Sequence, residues 1–181
     1  MLLARWLKPG PAKAAGQRLY AAAVAAARAP ALYQSLGAPD TPDGRFEVYT
    51  LHVLLVLERL RSQGEAGRAT AQALFDAYLS GLDNGLRELA VGDLSVAKTM
   101  RKLGEAFYGR GRALDAALAE LPDRAPLEAL IHRTVLGGAA ELDPAPLADY
   151  VLDARQHLAA APDDRVAAGE AGWPQPGISR P

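Results

Sequence analysis

The sequence predicts an all-α fold: a single compact domain of about six to seven helices with a flexible C-terminal tail. Three observations carry this. Alanine, the strongest helix former, crowds the chain. Apolar residues recur at spacings of three and four in one segment after another, and no long stretch alternates at period two. Clusters of Gly, Pro and Asp fall between those segments, as breakers do. A length of 181 residues suits one domain with a real core. The domain is set at residues 1–168 and the Pro/Gly-rich tail, GEAGWPQPGISRP, at 169–181.

The elements follow in order. MLLARWLK, residues 1–8, is a miniature amphipathic segment with an interfacial aromatic, too short to hold a membrane alone. Ala12 to Ala29 reads as an alanine-rich helix stopped at Pro30, and GAPDTPDG (37–44) reads as a loop. From Arg45 to Ser62 a helix carries Phe46, Val53, Leu57 and Leu60 on one face, with Val48, Leu51 and Leu55 on the opposite one. A helix apolar on both sides belongs at the centre of a bundle. From Glu65 to Ala90, Phe75, Tyr78, Leu79, Leu82, Leu86 and Leu89 form a stripe expected to be buried. Ala77, Gly81 and Gly85 beside it leave room for another backbone. Asp83 and Arg87 stand four apart in the favourable order.

Gly92 and Asp93 read as a tight corner, with the glycine just past one helix and the aspartate capping the next. The next helix gathers Val96, Met100, Leu103, Phe107, Leu114 and Leu118 in one arc. Lys98, Arg101, Lys102 and Arg112 form a basic stripe on the other side, interrupted by Glu105. Two shorter helices, Pro126 to Leu136 and Pro146 to Ala160, complete the domain.

The net charge of −1 conceals an asymmetry. Five bases and no acid precede Asp40, whereas ten acids face five arginines from Glu120 onward. With no cysteine, the chain offers no disulfide, thiolate metal site or cysteine nucleophile. The longest near-apolar run, VYTLHVLLVL (48–57), is about half the ~20 residues of a membrane span.

Little in the residues points to catalysis. His52, His132 and His157 share no metal-ligand spacing. His52 lies in an apolar run and reads as a satisfied core histidine. Glu128 with His132 and Asp153 with His157 read as solvent-side ion pairs. There is no phosphate-cradling glycine loop and no GxSxG elbow. The basic stripe lacks interleaved aromatics apart from Tyr108 at its margin, so a DNA-binding role finds no support. A solvated helix face is its simplest reading, and contact with an anionic membrane, ribosomal RNA or an acidic partner stays open.

Two ordered stretches carry a resemblance: LYQSLGAPDTPDGRFEVYTLHVLLVLERL from Leu32, and QALFDAYLSGLDNGLRELAVGDLSVAKTMRKLGEAFYGR from Gln72. Over about residues 21–121 the chain resembles the ubiquinol-cytochrome c chaperone family. The residues that carry it include Asp40, Arg45, Asp83, Arg87, Gly92 and Asp93, all read as structural signature positions. The chain departs from the family pattern at Leu89, Ala90 and Ala97, and none of these removes a charge or a cap. Mitochondrial relatives also carry an N-terminal targeting or anchoring segment, for which MLLARWLK is the only stand-in here.

The resemblance implies a helical, non-enzymatic chaperone with no cofactor. It would bind newly made cytochrome b and support assembly of ubiquinol-cytochrome c reductase, respiratory complex III. Expected partners are that client, the ribosome near its exit site or an anionic membrane surface, and a small partner protein of unknown identity. The alanine and arginine richness points to a bacterial source. The expected location is the cytoplasm or, as a peripheral protein, the inner face of the cytoplasmic membrane. An apolar client needs an apolar surface, and the candidates are Leu51, Leu54, Leu55, Phe75, Tyr78 and Leu79. Lys98, Arg101, Lys102 and Arg112 are the docking candidates. Two other readings stay open: an enzyme using the Asp40, Asp43, Arg45 and Glu47 loop with Arg87 and Asp93, and a ribosome- or membrane-docking scaffold without a client.

Overall fold

The computed structural model describes residues 10–88 and 93–177. Among them are eight helices and no strand: α1 (Pro11–Ala27), α2 (Pro30–Gln34), α3 (Pro42–Leu60), α4 (Gly64–Glu88), α5 (Asp93–Ala119), α6 (Ala125–Arg133), α7 (Ala145–Ala160) and α8 (Asp163–Ala167). The predicted all-α class holds, and α5 runs unbroken through Gly109 and Gly111. The short α8 was not foreseen. The MLLARWLK segment, Leu89, the Gly92 corner and the Asp93 side chain lie outside the described residues.

The segment read as apolar on both faces is the central helix. α3 touches α1, α4, α5 and α7, and Val48, Val53, Leu54, Leu55, Val56 and Leu60 are all buried along it. It begins three residues before the expected Arg45. Thr41 caps it, accepting from the Gly44 N–H at 3.1 Å, with Pro42 in the first turn and Asp43 beside the positive end of the helix dipole. Those signals lay in the TPDG that the sequence reading assigned to a loop.

α1 packs against α4 more extensively than any other pair of helices packs together. The close backbone approach falls at Gly16, where a Cβ would come within 2.5 Å of the Leu74 backbone nitrogen. It does not fall on the Ala77, Gly81 and Gly85 ridge. Gly81 instead makes room for the Tyr20 hydroxyl, and Gly85 faces open space.

Residues 169–177 have no helix and take their shape from the bundle. Gly169, at φ 93°, lies against the backbone of Ala15. Arg18 donates to the Ala168 carbonyl, and the Thr70 hydroxyl donates to the Ala167 carbonyl at 2.9 Å. The Trp173 ring sits 4.8 Å from that of His52.

Candidate functional site

His52 is buried with Thr50 and Thr70, and its bonding is complete. A carbonyl only accepts, so the 2.7 Å contact with the Val48 oxygen places the proton on Nδ1. Nε2 then accepts from the Tyr150 hydroxyl at 2.8 Å. Burial lowers its pKa to about 4, against a smaller opposing effect of the Val48 bond. This neutral imidazole ties α3 to α7 and has no ring nitrogen free for a ligand. Nearby, the Thr50 and Tyr78 hydroxyls share a 3.0 Å hydrogen bond that ties α3 to α4.

The other histidines differ from each other. His157 Nδ1 is 3.5 Å from Asp153, as its spacing suggested. His132 does not meet Glu128. Its Nε2 bonds the Ala139 carbonyl at 3.0 Å, while Glu128 faces Arg124 at 3.8 Å, because the turn after α6 folds back within reach of the ring. Among the described residues no group of three or more His, Asp and Glu is placed to hold a metal ion.

The carboxylates and arginines of the enzyme alternative are not gathered into one pocket. Asp40 pairs with Arg45 at the surface, and the Arg45 guanidinium lies 4.8 Å over the Tyr33 ring. Glu47 turns the other way and meets Arg110 of α5 in a half-buried pair. Asp83 holds Arg87 at 2.7 Å one turn along α4. Asp40, Glu47 and Asp83 each answer a cation, which is a structural use, and Asp43 lies in the first turn of α3.

A cleft of about 710 Å³ opens where the C-terminal end of α3 meets α5 and α7. Its charges also close on one another: Arg59 with Asp163 at 2.5 Å, Arg61 with Asp115 at 2.6 Å, and Arg155 with Glu58 at 3.1 Å. These pairs brace four helices.

The six expected client contacts separate. Leu54, Leu55 and Tyr78 are buried in the core, so they present no face to a client. α3 is enclosed on both sides, and Tyr78 is turned inward by its bond to Thr50. Leu51, Phe75 and Leu79 are half-buried at the margin of the core.

Sequence reading missed where the core ends along the two longest helices. Past Tyr78 no described residue of α4 is buried. On α5 only Val96 is buried among the described positions before Phe107. Leu82 still touches the main core, but Leu86, Met100 and Leu103 are half-buried apart from it. The outer halves of α4 and α5 thus form an arm whose leucines are half-buried at and beyond the edge of the main core. Phe75, Phe107 and Tyr108 pack at its base, with Phe75 to Phe107 at 5.1 Å and Phe75 to Tyr108 at 5.7 Å. The heptad-like pattern runs the full length of both helices, so periodicity gave no sign of this limit.

Of the basic stripe, Lys98, Arg101 and Lys102 lie along the same arm, and Arg112 lies past its base. Lys98, Arg101, Lys102 and Arg112 are all exposed. Arg101 approaches Glu105 at 3.9 Å, and the other three have no ion-pair partner among the described residues. Tyr108, 58% exposed, is the one large hydrophobic residue in the open among the described residues. None of the helices among the described residues is long and apolar enough to cross a membrane.

The described residues form a helical scaffold in which His52, Thr50 and Arg59 brace helix on helix, with a leucine-lined arm edged with cations. The chain belongs to the ubiquinol-cytochrome C chaperone family, whose model matches residues 34–173. It is similar to the ubiquinol-cytochrome-c reductase complex assembly factor 1 of Xenopus laevis, at 24% identity over 165 residues, 89% of this chain and 81% of that protein. It is also similar to the crystal structure of the Cbp3 homolog from Brucella abortus, with a TM-score of 0.81, 36% identity and 96% of each chain covered.

Proposed function

We propose that this protein is a non-enzymatic assembly chaperone for respiratory complex III that holds newly made cytochrome b. Family membership supports the complex, and the leucine face of the arm carries the reading of how a client is held. Leu79 and Leu82 of α4 at the margin of the core, with Leu86, Met100 and Leu103 beyond it, are only partly covered, and an apolar membrane subunit is their natural complement. The test is capture by a tagged full-length chain in its own host, scored for cytochrome b. Wild type is expected to recover it, and Leu86→Asp with Leu103→Asp to lose most of it while remaining folded. Recovery of ribosomes without cytochrome b would favour the scaffold instead.

The basic stripe supports a second part of the reading, docking at the inner face of the cytoplasmic membrane. Each cation near an anionic leaflet contributes on the order of 1 kcal/mol, and exposed Tyr108 supplies an interfacial ring beside them. Reversing Lys98, Arg101, Lys102 and Arg112 to glutamate is expected to abolish co-sedimentation with anionic liposomes. If ribosome co-sedimentation falls while liposome binding stays, the stripe serves RNA.

A further inference from the structure

We infer that the arm bends where it leaves the core, at a glycine hinge in α5 matched by a softened α4, and that client holding uses this bend. Glycine inside a helix destabilises it relative to alanine, because more chain freedom is lost and no side-chain contact is gained. Such a residue is accounted for where a side chain would not fit or where φ is positive. Elsewhere in the bundle these conditions are met. At Gly16, Gly44 and Gly67 a Cβ would lie 2.5 Å or less from another backbone atom, and Gly64, at φ 61°, opens α4. Gly81 makes room for Tyr20, and Gly111 abuts Leu54.

Three glycines meet neither condition, and all three lie on the arm or at its base. At Gly85 of α4 and at Gly104 and Gly109 of α5, a Cβ would meet nothing within 4 Å among the described residues outside its own stretch of helix, and φ is not positive. Their places follow the limit of the core. Gly104 and Gly109 flank Phe107, whose ring lies 4.8 Å from that of Tyr78, the last buried residue described in α4. Gly85 follows Tyr78 by two turns. The apolar side chains beyond this level, Leu86, Met100 and Leu103, are half-buried apart from the main core, so less packing resists a bend there than within the bundle.

A bend at this level moves Leu86, Met100 and Leu103 relative to Phe75 and Leu79, which pack against the core. The leucine face can then open or close around an apolar segment. This use of the hinge rests on the client-holding reading above. Gly109 allows bending to be separated from contact. It is seven residues from Lys102, hence on the face of the basic stripe and away from Leu103 and Phe107. A methyl group there stiffens α5 without touching the leucine face.

The chain has no cysteine of its own, so Lys98→Cys with Ala116→Cys, both exposed and on either side of the hinge, places two spin labels cleanly. In a straight helix they stand about 27 Å apart. Pulsed dipolar spectroscopy of the full chain is expected to give a broad distance distribution, and adding Gly104→Ala with Gly109→Ala to narrow it and raise the melting temperature. In the tagged chain without labels, the same two alanines are expected to reduce capture of cytochrome b roughly fivefold, and Gly109→Ala alone to reduce it less. Equal widths with glycine and alanine would overturn the hinge. So would a lower melting temperature in the alanine variant, which would make these glycines packing positions. A narrowed distribution with capture whole would overturn the use of the bend in client holding. Failure of client holding itself shows separately, as unchanged capture by Leu86→Asp with Leu103→Asp, and the distance widths decide the hinge in either case.

Discussion

The end of the molecule where α3 meets α5, α7 and α8 and the arm formed by outer α4 and α5 are built from the same helices but secured differently. At the first, ion pairs cross between elements: Arg59 to Asp163, Arg61 to Asp115 and Arg155 to Glu58. Arg59, 11% exposed, also donates to the Leu158 and Ala161 carbonyls at 2.8 Å. On the arm, Asp83 to Arg87 and Arg101 to Glu105 each join neighbours one turn apart in a single helix. Local pairs hold a helix in shape but do not fix one helix on another. The first end is tied helix to helix, whereas these two arm pairs each stay within one helix.

Breaking the core should separate the two regions most clearly. Leu55→Ala removes a fully buried side chain from α3 and is expected to cost about 4 kcal/mol in urea denaturation. Leu103→Ala on the arm is expected to cost less than about 1 kcal/mol. Similar losses at both sites would mean that the arm is as well packed as the core.

Acid should act on the core through His52. The folded chain holds His52 down to about 4, whereas the unfolded chain binds a proton at about 6.5. The unfolded state therefore takes up more protons between these values. The stability from this difference is whole above about 6.5 and declines as pH falls toward about 4, by up to about 3 kcal/mol. Denaturation midpoints measured across that range should fall more steeply for wild type than for His52→Gln.

Charge removal should give a smaller contrast. Glu47→Ala strands Arg110 in a half-buried position and is expected to cost about 2 kcal/mol. Asp83→Ala, which breaks a more exposed pair within α4, should cost about 0.5 kcal/mol or less by thermal melting. The least invasive test is hydrogen exchange. Amides of residues 82–88 should open at lower free energy than those of residues 48–56, since no side chain in the first set is buried.

Much of this was legible beforehand, and particular residues show where legibility stopped. The two-sided pattern of 45–62 placed α3 at the centre, and the spacing of Asp83 and Arg87 gave their ion pair. The same patterns could not say which leucines stay half-exposed. Leu55 and Leu86 are indistinguishable as members of an apolar stripe, yet one is sealed under α3's neighbours and the other lies past the limit of the core. Glu47 was grouped with Asp40 because they are close in the chain, but a helix turns successive side chains in different directions, and Glu47 points to α5. His132 and Glu128 were paired by the i, i+4 rule, while a carbonyl seven residues along the chain was closer at hand.

The sequence alone determined the helical class, the central helix, the family and the basic stripe, because periodicity, caps and ordered motifs are local properties of the chain. Tertiary structure decided the rest. It joined His52 to Tyr150 across 98 residues and laid Trp173 on the same ring. It also ended the core at Tyr78. The physical reason is that burial depends on which helices lie alongside and how far they extend, and no window of sequence shorter than the whole chain contains that information.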